Sequence, residues 1–363
     1  MKSEFSKNII TLFFLPKRLS LMYSLYPILN SKYANCFKIT SDMDFLLQKD
    51  RNEVLFIVGW QNNWSKSKEK FEKLLKLREK YRKIAFFEDN ASSESELLEI
   101  LPIVDLLYKR TVYVDKLNYQ RVFSDNRIFS EYYRDKFNLV PSENKIPYPR
   151  LKNLEDLKKL RIAWNIGFGT YPLSDNKNKI TSTIYKYFGT RGLRLIPYKN
   201  YFKNGLPHPT NNKCQARFDF KGYGNLVGFQ RKILQEQIIG NVKFLTGKIP
   251  LNEYNREILN VKAMLSPFGW GEVCFRDFEA IFNGAVLVKP DMSHLETYPN
   301  IFKNNHTYLS INWDGTDLTE KVDFLLSNNS FANELRTNAW NELKEAYQNI
   351  DQKVFQIIKE LSS

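Results

Sequence analysis

The segment from residue 264 to residue 292 limits the possible folds of this chain more than any other stretch. It reads MLSPFGWGEVCFRDFEAIFNGAVLVKPDM, in which a short apolar strand ends at Ser266-Pro267 and a glycine-containing turn follows. The pattern then predicts a helix over 272–283 and a second strand from Ala285 to Val288. Open parallel sheets bind ligands beyond the carboxyl ends of their strands. We therefore expect a strand–loop–helix–strand unit with a ligand site at the turn.

Three charged side chains recur along the predicted helix. Glu272, Arg276 and Glu279 stand at i, i+4 and i+7, so that at about 100° per residue they fall within roughly 60° of one another. The phenylalanines of the same helix point about a quarter turn away and can anchor it to the sheet. The charged face can then turn toward a ligand. The alternative is an exposed Glu272–Arg276 ion pair, which contributes only about 0.3–0.5 kcal/mol.

A nucleotide diphosphate requires the groups that this segment offers. Its phosphates need backbone N–H groups at a helix start together with a cation, and its ribose diol needs a carboxylate that accepts from both hydroxyls. Gly269 and Gly271 let phosphates approach the backbone, and Arg276 supplies charge. Glu279, two turns into the helix, can accept from the ribose.

Residues 264–345 resemble the donor-nucleotide site of the GT-B glycosyltransferases, including exostosin-like and capsule or O-antigen transferases. The resemblance covers the glycine loop, Glu279, the Asn283-Gly284 turn and the downstream TYPNIF and TYLSINWD segments. Many retaining members carry two Glu separated by seven residues. Here Gly271 occupies the first of those positions and Glu272 follows one position later, so retention of anomeric configuration is not carried over.

A second group of cations follows in the segment QARFDFKGYGNLVGFQR, residues 215–231. Arg217, Lys221 and Arg231 lie beside glycines and ahead of a predicted helix, where they can clamp a diphosphate. They look like the Arg and Lys pair that donor domains of this fold direct at phosphates. The alternative is a solvated basic loop.

Two carboxylates, Glu88 and Asp89, follow the apolar strand predicted at 84–87. Catalytic groups of α/β folds tend to lie at such strand ends, so both are candidates for a general base. The alternative is that they cap the next helix. His294, after the strand at 285–288, has two interpretations, contact with the transferred sugar or a structural hydrogen bond, and we expect the hydrogen bond.

The length of 363 residues indicates two domains. Strand and helix patterns alternate in both halves, which predicts an α/β fold with parallel sheets. A proline-rich segment at 141–154 is the predicted linker, with an acceptor-side domain over 1–150 and a donor domain over 151–335. In less regular segments we predict strands at 161–164 and 194–197 and helices at 93–101 and 330–360. The resemblance implies two Rossmann-like domains facing across a cleft, with residues 336–363 crossing back to the first domain.

Lys and Arg exceed Asp and Glu by 54 − 40 = 14, and the pI near 9.4 indicates anionic partners. The basic amphipathic segment 64–83 has two interpretations, a solvated crossover helix or contact with an anionic membrane surface, where each nearby Lys or Arg adds about 1 kcal/mol. No nucleic-acid-binding motif accompanies the charge, so we expect no nucleic-acid partner.

Three scattered cysteines and three dispersed histidines show no metal spacing, and the odd cysteine number favours a reducing compartment. The apolar run near the start is too short for a membrane span. We expect a cytoplasmic protein, peripheral on the inner membrane face if the membrane interpretation of segment 64–83 holds, and no cofactor or metal.

These patterns favour a glycosyltransferase that moves a sugar from a nucleotide-diphosphate donor to a glycan or lipid-linked acceptor in surface polysaccharide assembly. One alternative is a nucleotide-sugar epimerase or hydrolase on the same fold, which would turn over donor without an acceptor. The other is a non-catalytic basic protein that binds nucleic acid or membrane. Salt-dependent binding to polyanions without nucleotide affinity would select that alternative.

Overall fold

The computed structural model describes residues 9–15, 19–60, 67–141, 145–169 and 175–363. The predicted segment 64–83 therefore lies partly outside the described residues. The strands are β1 (Ile10–Phe14), β2 (Phe37–Thr40), β3 (Val54–Val58), β4 (Lys83–Glu88), β5 (Leu106–Lys109), β6 (Thr111–Tyr113), β7 (Leu160–Ile162), β8 (Asn211–Gln215), β9 (Phe244–Leu245), β10 (Val261–Leu265), β11 (Val286–Pro290), β12 (Leu295–Thr297) and β13 (Leu309–Ile311).

The helices surround these strands. They are α1 (Leu19–Ser24), α2 (Tyr26–Asn30), α3 (Lys68–Lys80), α4 (Ile128–Phe137), α5 (Asp175–Phe188), α6 (Asn225–Ile238), α7 (Leu251–Glu257), α8 (Phe275–Phe282), α9 (Leu318–Ser327), α10 (Asn329–Gln348) and α11 (Ile350–Ser362). None of the helices in the described ranges combines the length and apolar character that crossing a bilayer requires.

The first sheet has six parallel strands in the order β2-β1-β3-β4-β5-β7. Its central strands are continuous apolar runs, and all five residues of β3 are buried. Strands covered by helices on both faces have this composition, because neither face meets water. The apolar run therefore predicts a central parallel strand, and β3 is one.

The second sheet has five parallel strands in the order β13-β11-β10-β8-β9. When the strands of this sheet are numbered along the chain from β8 and the sheet is followed from the β9 edge, their order is 2-1-3-4-5, the doubly wound order. Strands β1 to β5 of the first sheet have the same order. The predicted α/β class with two Rossmann-like sheets is confirmed. In this order the chain moves toward one edge of the sheet from its first strand and toward the other edge from its third strand, here β8 and β10. Ligands bind beyond the carboxyl ends of these two strands.

Helix α8 begins three residues later than predicted. Cys274 is its N-cap residue, and Asp277 accepts a hydrogen bond from the Cys274 N–H at 2.9 Å, which fixes the first turn. The helix buries Phe278 and Ile281 and ends at Phe282, with Asn283 as its C-cap residue. Glu272 therefore belongs to the turn before the helix, and the predicted single helical face of Glu272, Arg276 and Glu279 is wrong for Glu272.

Strand β7 joins the first sheet, where it pairs with β5. The expected domain boundary near residue 150 thus precedes the last strand of the first sheet, and the second sheet begins with β8. An antiparallel ribbon of β6 and β12 runs between the two domains. A short apolar pattern predicts a strand but does not specify which sheet it joins, because its partner is distant in sequence.

The carboxyl-terminal part of the chain packs on the first sheet. Tyr108 on β5 donates a hydrogen bond to the Glu360 carboxylate at 2.6 Å, and Lys83 on β4 donates to the Glu360 carbonyl at 2.7 Å. The helix predicted over 330–360 is divided at Asn349 into α10 and α11. The contacts of Glu360 come from α11, and Tyr347 near the end of α10 packs against Tyr26 of α2.

Two predicted elements differ from the structure. The segment predicted as a helix at 93–101 forms only a 3-10 turn at Leu98–Ile100. The hydroxyls of Ser92 and Ser95 accept hydrogen bonds from backbone N–H groups two residues later, which competes with a helical ladder. The strand predicted at 194–197 is replaced by a 3-10 helix, Gly189–Leu195.

Candidate functional site

A cavity of about 1140 Å³ lies between the two domains. Residues that follow β4 and β5 line one wall, and residues that follow β8 and β10 line the other. The cavity therefore occupies the point between β8 and β10 where the second sheet reverses its connections, as open α/β sheets predict. The predicted cleft between two facing domains is present, and its volume suits a ligand larger than a mononucleotide.

The loop after β10 forms the floor of the cavity and contains both glycines predicted for phosphate approach. A Cβ on Gly269 would lie 3.3 Å from the Arg231 guanidinium, so this backbone faces a cation. A Cβ on Gly271 would lie only 1.5 Å from the carbonyl oxygen of Ala91 in the first domain. Gly271 is thus required for close contact between the domains, whatever it does toward a ligand.

Two arginines of the second domain face the cavity, and both are held by backbone carbonyls. Arg231 donates from Nε to the Phe268 carbonyl at 2.7 Å and from Nη1 to the Asp219 carbonyl at 3.1 Å. Arg276 donates from Nη2 to the Arg217 carbonyl at 2.6 Å, whereas its Nη1 is buried without a hydrogen-bond partner in the described part of the chain. A buried charged donor without a partner is costly, so the arrangement is suited to an anion.

The other two predicted cations differ from each other. Arg217 donates three hydrogen bonds to the Glu257 carboxylate, at 2.9, 3.2 and 2.6 Å, and these bonds raise the pKa of Arg217. Its charge is therefore largely compensated by Glu257. Lys221 also lines the cavity, is exposed, and has no ion pair among the described residues. Lys248, which the sequence analysis did not select, is exposed on the same wall.

Glu279 lines the cavity from the second turn of α8. Its Oε2 accepts a hydrogen bond from the Tyr254 hydroxyl at 2.9 Å, while Oε1 has no hydrogen bond within the described residues. Burial is the main cause that raises the pKa of Tyr254, so the phenol stays protonated and donates. Tyr254 thereby fixes one carboxylate oxygen and leaves the other available.

Glu272 does not line the cavity, in contrast to its predicted place among the donor-binding residues. It is fully buried, and its Oε2 accepts from the Ser93 N–H at 3.2 Å. Its Oε1 lies 4.0 Å from Nε2 of His294 and has no hydrogen bond in the described structure. Burial raises the pKa of Glu272. The residue links the two domains behind the cavity.

His294 was expected to make a structural hydrogen bond, but neither ring nitrogen has a partner among the described residues. Only its backbone carbonyl is engaged, by the Val114 N–H at 3.0 Å. Burial lowers the pKa of His294 to about 4, so the ring is neutral at physiological pH. Rings of Phe268 and Trp313 pack against it instead.

Of the two candidate bases, only Asp89 reaches the cavity. Glu88 is buried and forms an ion pair with Lys109 at 2.6 Å, which directs it away from the cleft. Asp89 lines the cavity and pairs with the Arg110 guanidinium, which also donates to the Ser24 hydroxyl at 2.7 Å. The residue after β5, Arg110, was missed by sequence analysis, although its position after a buried strand matches that of Asp89.

The described residues contain no group of three or more His, Cys, Asp or Glu side chains placed to hold a metal ion. The Asp-x-Asp sequence at Asp42 and Asp44 is exposed and does not line the cavity.

Comparison with known proteins gives remote structural similarity only. No protein-family model matches the chain, and no curated protein matches it. An alpha-glucosyltransferase solved with UDP-glucose and DNA containing an abasic site is 10% identical, with a TM-score of 0.44 over 96% of this chain and 98% of that one. T4 phage BGT with its UDP-glucose substrate is 13% identical, with a TM-score of 0.45 over 98% and 99%. Anabaena HepE with UDP and glucose is 10% identical, with a TM-score of 0.43 over 97% and 99%. Similarity at this level does not establish an activity.

Proposed function

We propose that this protein is a glycosyltransferase that moves a sugar from a nucleotide-diphosphate donor to a glycan or lipid-linked acceptor. The observation that carries the proposal is the buried Nη1 of Arg276, which has no hydrogen-bond partner among the described residues and belongs to a cavity wall that also contains Arg231 and Glu279. Cations and a carboxylate on one wall match the phosphates and the ribose of a nucleotide.

The phosphate end of the donor is assigned to the loop after β10 and its two arginines. Arg231 and Arg276 are oriented by backbone carbonyls, so little rearrangement is needed when a diphosphate binds. Charge develops on the diphosphate as the bond to the sugar breaks, and fixed guanidinium groups stabilise that charge in the transition state. Lys221 and Lys248 add cations at the exposed side.

The ribose is assigned to Glu279. Because the Tyr254 hydroxyl engages Oε2, the orientation of the carboxylate is set before a ligand arrives. The open Oε1 can accept from one ribose hydroxyl, and Oε2 retains a lone pair for the second. A hydrogen bond to a charged carboxylate typically contributes about 1.5–3 kcal/mol.

The first-domain wall, with Asp89 and Arg110, is assigned to the acceptor. Holding an acceptor hydroxyl near the anomeric carbon converts a bimolecular encounter into a step within one complex. Asp89 is the carboxylate on this wall that can receive the hydroxyl proton in an inverting reaction. Its ion pair with Arg110 fixes its orientation.

Ligand-induced stabilisation tests the proposal. The protein is heated with UDP, GDP, CMP, ADP or dTDP, and a ligand at a hundred times its dissociation constant should add about 2.7 kcal/mol to the free energy of unfolding. One nucleoside diphosphate should stabilise the protein more than the corresponding nucleoside. The Arg276→Ala variant should lose most of that difference. If no nucleotide stabilises the protein, the proposal is wrong, and donor turnover without acceptor would select the epimerase or hydrolase alternative.

A further inference from the structure

Helix α5 and the 3-10 helix that follows it carry an exposed apolar surface. Its members are Ile180, Tyr187, Phe188 and Leu195, with exposed fractions of 52%, 72%, 59% and 59%. We call these four residues the α5 patch. Single exposed apolar residues are common on protein surfaces, but a cluster of this kind marks an interaction site.

The geometry of the helix groups these residues. Ile180, Tyr187 and Phe188 stand at i, i+7 and i+8, so they fall within about 100° on one side of α5. The 3-10 helix packs on the same helix, because a Cβ on Gly192 would lie 2.9 Å from Ile184 and 3.0 Å from Phe188. The same 3-10 helix ends at Leu195, whose apolar side chain is also exposed.

Side chains next to the patch on α5 anchor this segment to the first domain. The Thr181 hydroxyl lies 2.7 Å from the Tyr23 hydroxyl, and Tyr185 packs edge-on against Phe14. In the 3-10 helix, the Thr190 hydroxyl donates to the Ile39 carbonyl at 3.3 Å. Thr181 and Tyr185 thus hold α5 against the first domain, while the four residues of the α5 patch stay exposed.

The segment that carries the patch is basic. Residues 176–195 contain five Lys or Arg and no Asp or Glu, and the single acidic residue of α5 is Asp175 at its first position. Lys179, Lys186 and Arg191 are exposed and form no ion pair among the described residues. The Lys186 ammonium lies 5.7 Å from the ring centre of Tyr187, so the cation borders the apolar surface directly. An apolar centre with a cationic border is complementary to a surface that is anionic outside and apolar inside.

Helix α3, the basic segment first considered for membrane contact, differs from the α5 patch in degree. Two of its five lysines are paired within the helix, Lys73 with Glu69 at 2.6 Å and Lys68 with Glu72 at 3.9 Å. Leu74 and Leu77 are buried in the core of the first domain, and Phe71 and Leu75 are 36% and 43% exposed, less than any residue of the α5 patch. The structure thus favours the solvated crossover interpretation of α3, and this helix provides a control.

We propose that the α5 patch docks the protein on an anionic lipid bilayer. Tyr187 and Phe188 provide interfacial aromatic rings, Ile180 and Leu195 provide apolar area, and the bordering cations meet lipid phosphates. A nucleic-acid surface is less well matched, because stacking requires aromatic rings and gains nothing from the two aliphatic side chains.

Contacts connect the patch to the cavity, which suggests what docking does; this step rests on the proposed function. Tyr23, which contacts Thr181 of α5, is followed by Ser24, whose hydroxyl accepts from Arg110 on the first-domain wall. The patch is therefore connected to the wall assigned to the acceptor. Docking through it would bring a lipid-linked acceptor toward that wall.

Vesicle co-sedimentation tests the docking without any sugar donor. Wild-type protein should bind vesicles of phosphatidylcholine mixed with phosphatidylglycerol and bind far less to phosphatidylcholine alone. The double variant Tyr187→Ser with Phe188→Ser should bind the anionic vesicles at least about tenfold more weakly. The matched control, Lys70→Gln with Lys73→Gln and Lys76→Gln in α3, should bind like the wild type.

Three outcomes would overturn the docking proposal: no vesicle binding by the wild type, equal binding by the Tyr187/Phe188 variant, or an equal loss in the α3 control. A fourth is binding of single-stranded DNA or RNA that the Tyr187/Phe188 variant loses while vesicle binding persists. The stabilisation of the protein by nucleoside diphosphate is measured on the same samples, and it should be the same in the wild type, the Tyr187/Phe188 variant and the α3 control. Failure of the docking proposal is thus distinguished from failure of the proposed function.

Discussion

Glu272 and Ser93 lie 179 positions apart, and the backbone N–H of Ser93 donates to the Glu272 carboxylate at 3.2 Å. This bond joins the turn after β10 to the turn after β4, directly behind the candidate site. The preceding residue, Gly271, touches the backbone of Ala91 in the same turn. The two walls of the cavity are therefore held together by a glycine contact and a buried carboxylate.

The substitution Gly271→Ala should destabilise this contact, because its Cβ would lie 1.5 Å from the Ala91 carbonyl oxygen. We expect the free energy of unfolding to fall by about 1–3 kcal/mol, as in other overpacked sites. Urea denaturation measures the change. The matched control is Gly269→Ala, whose nearest contact is the end of the Arg231 side chain at 3.3 Å. Equal stability of the Gly271→Ala variant and the wild type would contradict the interpretation.

The substitution Glu279→Gln keeps size and shape but replaces one acceptor oxygen by a donor. Transferase activity should fall at least about tenfold, which corresponds to about 1.4 kcal/mol of transition-state stabilisation, while the folded state is retained. With a 2′-deoxyribose donor, the wild type should show much of the same loss. As a control, Tyr254→Phe removes the hydrogen bond to Oε2 but keeps the carboxylate, so it should have a smaller effect. If the Glu279→Gln variant keeps full activity, the assignment of α8 to the nucleotide site is wrong.

The substitution Arg231→Ala should raise the nucleotide dissociation constant about 10- to 100-fold, since hydrogen bonds to charged groups contribute about 1.5–3 kcal/mol. Isothermal titration measures the affinity. The neighbouring Lys232, exposed and 3.9 Å from Glu236, provides the control Lys232→Ala, which should leave affinity unchanged. Because Arg231 also holds the Phe268 carbonyl, some loss of stability is expected. A loss of stability with unchanged affinity would make Arg231 a structural residue.

The substitution Asp277→Ala should be strongly destabilising. Asp277 and Lys289 form an ion pair at 3.0 Å in which both side chains are fully buried. Removing one partner leaves an uncompensated buried charge, which typically costs about 3–5 kcal/mol. The control Asp323→Ala removes an exposed partner of Lys243 and should cost at most about 1 kcal/mol. Chemical denaturation that gives similar values for both variants would show that the buried pair adds no special stability.

The stability of the protein should depend on pH through Glu94. Burial raises the pKa of this carboxyl from its ordinary value of 4.5 to about 8. In the folded state Glu94 therefore keeps a proton that the unfolded chain releases, and stability present below pH 4.5 is lost as pH rises toward 8.

The Glu94→Gln variant should be less sensitive to pH than the wild type across this window. The difference in their unfolding free energies should change by at most about 1.4 kcal/mol per pH unit. Urea denaturation at a series of pH values measures it. Taking the difference cancels groups that titrate equally in both proteins, such as His294. Parallel pH profiles would show that Glu94 does not hold the proton.

Local patterns in the sequence were sufficient for the fold class. Apolar runs predicted β3 and β10, and the turn with Gly269 and Gly271 was placed correctly at the end of β10. Helical periodicity located α8 to within three residues at its start and one at its end. These signals are readable because each depends on residues close together in the chain, whose burial follows from strand and helix geometry.

The tertiary structure decided which of the predicted polar residues face the cavity. Arg217 is compensated by Glu257, forty positions away, and Glu88 is paired with Lys109. Glu272 lies behind the cavity because the turn after β10 meets the first domain at Ser93. The sequence by itself determined the two parallel sheets and the turn that lies between them. Only the folded chain decided how each charge is paired, since that depends on contacts between residues distant in sequence.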